Sequence, residues 1–126
     1  MGSAPYIKEW LADKKILCYR FRDTSPETID AWAVDIASEL SKWPTDQTWR
    51  MMLDISLHGN IVSAYSLRRA RELSNLRPEV RGRLSIIIGS RLAAQVISLV
   101  IRSSNSYRQR QVFASEASAI QWLLDN

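Results

Sequence analysis

Residues 49–66 read WRMMLDISLHGNIVSAYS, and this stretch decides the fold. Met51, Met52, Leu53 and Ile55 form the continuous apolar run of a strand covered on both faces. Asp54 sits near its end, a polar loop follows, and the spacing beyond opens a helix. Strand, loop and helix start in that order belong to a parallel α/β unit. In such units the loops at the carboxyl ends of the strands gather side chains and free helix N–H groups over a rigid sheet, so the functional surface is expected here.

Working outward, the same alternation recurs on both sides. Toward the amino terminus, residues 6–11 and 15–21 read as a hairpin around Asp13 and Lys14. Thr24, Ser25, Pro26 and Glu27 then signal a helix start, with Ser or Thr as cap and Glu27 three residues after Thr24. The helix is expected to run to about Trp43, where Pro44 stops it, with Ile29, Trp32, Ala33, Ile36 and Leu40 on its packing stripe.

Toward the carboxyl terminus, Leu67, Ala70, Leu73 and Leu76 mark a second helix with Arg68, Arg69, Arg71 and Glu72 outside, ended by Arg77 and Pro78. Residues 84–88 read as a third buried strand, and Ser90 caps a third helix. In that helix Leu92, Ala93, Val96, Ile97, Leu99, Val100 and Ile101 spread over more than one stripe. It is therefore either deeply buried or partnered from outside, and a homodimer or a stable partner contact using Val96, Leu99, Val100 or nearby residues is expected. Residues 108–113 suit an edge strand, and Ser115 caps a last helix packed through Ala119, Ile120, Trp122 and Leu123. The expected fold class is α/β: a single-layer, mostly parallel sheet of four to five strands, with an N-terminal hairpin and about four helices, forming one domain over residues 1–126.

Composition narrows the function classes. A chain of 126 residues with 46% hydrophobic and 24% charged residues has the makings of one ordinary globular domain. No apolar run approaches the roughly 20 residues that span a bilayer, and MGSAPYIKEW lacks a signal-peptide pattern, so no transmembrane segment and a cytoplasmic location are expected. One cysteine, Cys18, and one histidine, His58, exclude an intrachain disulfide and argue against a zinc site. Cys18 reads as a buried, inert thiol, and neither metal nor cofactor is expected.

Charge is distributed unevenly. Residues 1–63 carry 7 basic against 9 acidic groups, residues 64–126 carry 10 against 4, and every base of the second half is arginine. A solvated basic face is the simpler reading of this surplus, an anionic partner the sharper one. Nucleic-acid binding is disfavoured, because no basic-aromatic platform exists beyond Tyr65 and Tyr107.

His58 with Asp54 and Ser63 or Ser56 supplies the residue types of a hydrolytic triad, but within ten residues and without a nucleophile elbow. The Gly89–Ser90 turn lacks the glycines and lysine of a phosphate loop. No enzyme is expected.

Three stretches carry a family resemblance: LDIS at residues 53–56, RLSIIIGS at 83–90 and QVFASEASAIQWLLD at 111–125. Together with the order of elements they resemble the STAS domain of sulphate transporters and anti-sigma factor antagonists, in particular its SpoIIAA-like branch. The resemblance implies a non-enzymatic regulatory or protein-interaction module, meeting a protein partner such as a kinase or an anti-sigma-like regulator at the start of the second helix. Regulatory members carry Asp-Ser-Ser or Asp-Ser-Thr there, with the first hydroxyl phosphorylated. The matching positions are Val62, Ser63 and Ala64, so Ser63 is the phosphorylation position although both neighbours depart from the pattern. The simpler reading has Ser63 or Asn60 cap the helix, worth about 1 kcal/mol. The expected partner-binding residues are Ser56, His58, Asn60, Ser63, Arg68 and Arg69. The alternative is a small apolar or lipid ligand held between sheet and helices, suggested by the broadly apolar third helix.

Overall fold

A computed structural model of the protein describes residues 6–56, 63–103 and 108–125. The elements are β1 (Tyr6–Leu11), β2 (Ile16–Phe21), α1 (Pro26–Ser41), β3 (Trp49–Asp54), α2 (Ala64–Ser74), β4 (Gly82–Ile87), α3 (Arg91–Ser103), β5 (Gln109–Phe113) and α4 (Glu116–Leu124). All five strands join one sheet in the order β1-β2-β3-β4-β5. The sheet is mixed where a mostly parallel one was expected: β1 runs antiparallel to β2, and the other three pairings are parallel. The tight turn after Leu11 reverses the chain directly, whereas each later connection passes through a helix and returns the strand to its former direction.

Because every crossover steps to the next strand in the same direction, right-handed connections put α1, α2 and α3 on one face. The pleat then sorts the side chains. Leu17, Tyr19, Phe21, Met51, Leu53 and Ile55 pack toward α1–α3, while Ile16, Cys18, Met52 and Ile87 pack toward Ala119 and Leu123 of α4. Cys18 is fully buried, and burial pushes its thiol up from 9.0 to about 12.

Local chemistry sets the helix ends. The Thr28 N–H donates to Ser25 Oγ at 3.4 Å, so Thr28 rather than Glu27 occupies the capping partner's position. α1 ends at Ser41, short of Trp43, because the Lys42 and Trp43 amides turn back to the carbonyls of Glu39 and Leu40 in a tightened last turn. Ser63, Ser90 and Ser115 cap the starts of α2, α3 and α4.

The arginine surplus has a structural use that revises the solvated-face reading. Each helix ends on carbonyls that accept from an arginine of another element. Arg77 Nη1 donates to Leu40 and Trp43 at the end of α1, at 2.9 and 2.7 Å. Arg108 Nη2 donates to Leu76 and Arg77 just past α2, at 2.8 and 2.9 Å. Arg110 reaches Ile101 of α3 at 3.4 Å, while Arg50 and Arg83 hold Leu123 and Trp122 of α4 at 2.8 and 2.6 Å. Guanidinium groups satisfy these orphan carbonyls and oppose the negative end of the helix dipole. Gly82 leaves the path for Arg108: a Cβ there would stand 2.8 Å from the Trp49 carbonyl oxygen and 3.0 Å from Arg108 Cδ.

Candidate functional site

At the carboxyl edge of the sheet, Ser56 is drawn into an ion-pair network. Its N–H and Oγ both donate to Asp54 Oδ1, at 3.0 and 2.6 Å. The other oxygen of Asp54 accepts from Arg20 at 2.9 Å, and Arg20 also pairs with Glu9 at 2.7 Å and Glu116 at 2.6 Å. Burial opposes the Arg20 charge, but its carboxylate partners, Glu116 and Glu9 foremost, outweigh it and raise the pKa. The network ties β1, β2, β3 and α4 together. His58 and Asn60 lie outside the described residues.

At the start of α2, Ser63 Oγ accepts from the Ser66 N–H at 3.1 Å, and the Ser66 hydroxyl donates to the Ser63 carbonyl at 2.8 Å. The Arg68 guanidinium lies 5.2 Å from the centre of the Tyr65 ring. Arg69 faces α1 rather than open solvent: it pairs with Asp30 at 3.5 Å and Glu72 at 2.9 Å. The Tyr65 hydroxyl donates to the same Asp30 carboxylate. Ser63, Arg68 and Arg69 therefore gather at the start of α2, Arg69 as part of a polar strap to α1, while Ser56 faces a different set of partners.

These straps matter because α2 does not press closely on the sheet. Its inward residues include Ser66, Ala70 and Ser74, four apart and so on one helix face, too small to fill the gap. Two adjoining cavities of about 120 and about 90 Å³ result. They share Trp32, Leu53, Leu67, Ala70, Ile86 and Ile97 as walls. The larger extends toward Trp49 at the start of β3, and the smaller toward Phe21 and Ile55 at the carboxyl edge. Their walls are apolar except for Thr24 and Ser66 at one end, and Arg71, Ser74, Arg108 and Arg110 at the other. The buried indole N–H of Trp32 has no hydrogen-bond partner among the described residues.

Protein interiors pack as densely as organic crystals, so hollows of this size leave their lining short of contacts and cost stability. An arrangement of this kind can hold an apolar body and offer a donor to an oxygen on it. The sequence suggested an apolar or lipid ligand between sheet and helices from the breadth of α3, not from the small-residue face of α2. The available signal was the Ser66, Ala70, Ser74 spacing opposite large apolar strand residues.

α3 divides its apolar residues. Ile97 is buried, whereas Leu92, Val96 and Leu99 are 71%, 51% and 62% exposed. Among the described residues no group of three or more His, Cys, Asp or Glu is placed to hold a metal ion, and no helix is long and apolar enough to cross a membrane. Compared with family models, curated proteins and solved structures, the chain matches none.

Proposed function

We propose that this domain is a non-enzymatic, STAS-like binding module that takes up a small apolar ligand between its sheet and α2. The observation that carries the reading is the pair of adjoining hollows of about 120 and about 90 Å³ walled by Trp32, Leu53, Leu67, Ile86 and Ile97. An engineered apolar cavity of about 150 Å³ admits benzene, so the space matches one aromatic ring or a short branched chain with an extension. Calorimetric titration with the neutral probe 4-phenylbutan-1-ol tests it. One-to-one saturation with a negative heat-capacity change is expected, with methyl shifts at Leu53, Leu67 and Ile86 by NMR. Absence of both heat and shifts at millimolar probe would sink the reading.

A second reading, a regulatory protein contact, rests on the exposed Leu92, Val96 and Leu99 of α3. Arg91 and Arg102 bracket this strip. Antiparallel pairing of two copies along it would oppose like charges, so an acidic partner suits it better than the expected homodimer. In a STAS-like module that partner also meets Ser63 and Arg68 at the start of α2. Light scattering across a concentration series decides between the two: a monomer at every concentration favours the acidic partner, and a dimer abolished by Leu99→Glu favours self-association.

A further inference from the structure

Trp32 walls both hollows beneath α2 and is 3% exposed, yet its indole N–H finds no hydrogen-bond partner among the described residues. A buried donor without an acceptor is unfavourable, and folded proteins leave few of them. Its neighbours hold the ring in place. The indole meets Phe21 and Tyr19 edge to face, with centroids 5.5 and 6.5 Å apart, so the donor is fixed before any ligand arrives. The serine hydroxyls that border the hollows are differently placed. Ser66 donates to the Ser63 carbonyl at 2.8 Å and Ser74 to the Arg71 carbonyl at 2.7 Å, so both hydroxyl protons are already engaged with backbone. Beside Trp32 the shared wall is aliphatic, formed by Leu53, Leu67, Ala70, Ile86 and Ile97.

Resting on the proposed apolar site, we infer that its ligand is a neutral carbonyl compound: an apolar body that fills the hollows and one ketone or ester oxygen that accepts from Trp32 Nε1–H. The chemistry of the wall selects this occupant. A hydrocarbon fills the space but leaves the indole donor unsatisfied. An alcohol accepts from the indole, yet it brings a hydroxyl proton that must then face aliphatic side chains. A carboxylate brings a full charge to a wall that meets it with one neutral donor, which is more unfavourable still. A carbonyl oxygen adds the missing acceptor and introduces neither proton nor charge.

The experiment titrates the full chain, carrying isotope-labelled tryptophan, with three probes on one skeleton: 4-phenylbutan-2-one, 4-phenylbutan-2-ol and butylbenzene. All three are expected to move the methyl signals of Leu53, Leu67 and Ile86 by NMR. Relative to butylbenzene, the ketone should also move the Trp32 indole proton downfield, as a donor does when it gains an acceptor. Affinities come from the same titrations, and the ketone should bind tighter than the alcohol. The ratio of ketone to butylbenzene affinity should fall about fivefold in Trp32→Phe, which keeps an aromatic wall and removes the donor. Should that variant unfold, the indole signal of the wild-type chain decides by itself. A Trp32 indole proton that responds alike to ketone and butylbenzene, an alcohol that binds as tightly as the ketone, or a ratio unchanged in Trp32→Phe overturns the carbonyl inference and leaves the apolar site standing. Failure of all three probes to move the methyl signals overturns the site itself.

Discussion

Arg77 Nη1 donates to the carbonyl oxygen of Leu40 at 2.9 Å, joining residues 37 apart in the chain. The contact depends on backbone geometry as well as side-chain chemistry. Arg77 stands in the left-handed region, at φ 48°, just where the chain leaves α2. This bend carries the guanidinium over the end of α1, where it also reaches the Trp43 carbonyl. A residue in the turn beyond α2 thus caps α1.

Replacing it should be costly. Arg77→Ala removes the hydrogen bonds to the Leu40, Ser41 and Trp43 carbonyls and the ion pair with Glu79 while keeping the unfavourable φ, so unfolding free energy should drop by about 1.5–3 kcal/mol. Arg81→Ala, an exposed arginine nearby, should change it by no more than about 0.5 kcal/mol. Urea denaturation of both variants checks the contrast, and equal effects would mean the caps contribute nothing particular.

The β1–β2 turn offers a gain. Ala12, Asp13 and Lys14 all have positive φ, at 53°, 56° and 65°. A left-handed residue with a Cβ costs roughly 1–2 kcal/mol, partly offset by the extra freedom glycine brings to the unfolded chain. Lys14→Gly should therefore stabilise the fold by about 0.5–1 kcal/mol. A lower thermal midpoint for this variant would show that the turn is relaxed as it stands.

Much of this fold was legible because local signals and tertiary structure agree. Ser25, Ser63, Ser90 and Ser115 cap helices where the sequence pattern put them, and Ile29, Trp32, Ile36 and Leu40 bury the stripe their spacing predicts. The arginine caps were not legible, since Arg83 meets Trp122 across 39 residues and no local pattern encodes such a pairing. The cavity escaped for a related reason. A hollow is the absence of side-chain volume between distant segments, and Ala70 on its own reads as an ordinary packing residue. The loop site was legible only as a place; its chemistry depends on long-range partners such as Asp30 for Arg69 and Arg20 for Asp54.

Cys18 gives a pH prediction. Its folded pKa, about 12, lies above the ordinary 9.0, so the folded state holds the proton more tightly than the unfolded chain. Stability from this group is complete below pH 9.0 and declines as pH rises toward about 12. The slope approaches about 1.4 kcal/mol per pH unit. Between pH 9 and 10 wild type should lose stability faster than Cys18→Ala, and the native thiol should resist alkylation at pH 8. Rapid native-state alkylation, or parallel pH profiles, would count against a buried neutral thiol.

The most direct measurement concerns Ala70, which borders both hollows. In Ala70→Leu the added side chain occupies the space that the proposed ligand needs. Filling a real cavity should raise unfolding free energy by about 0.5–2 kcal/mol, and in the same protein affinity for 4-phenylbutan-1-ol should fall at least tenfold. Greater stability with lost binding is the predicted result; a destabilised variant that still binds the probe as wild type does would contradict a ligand site beneath α2.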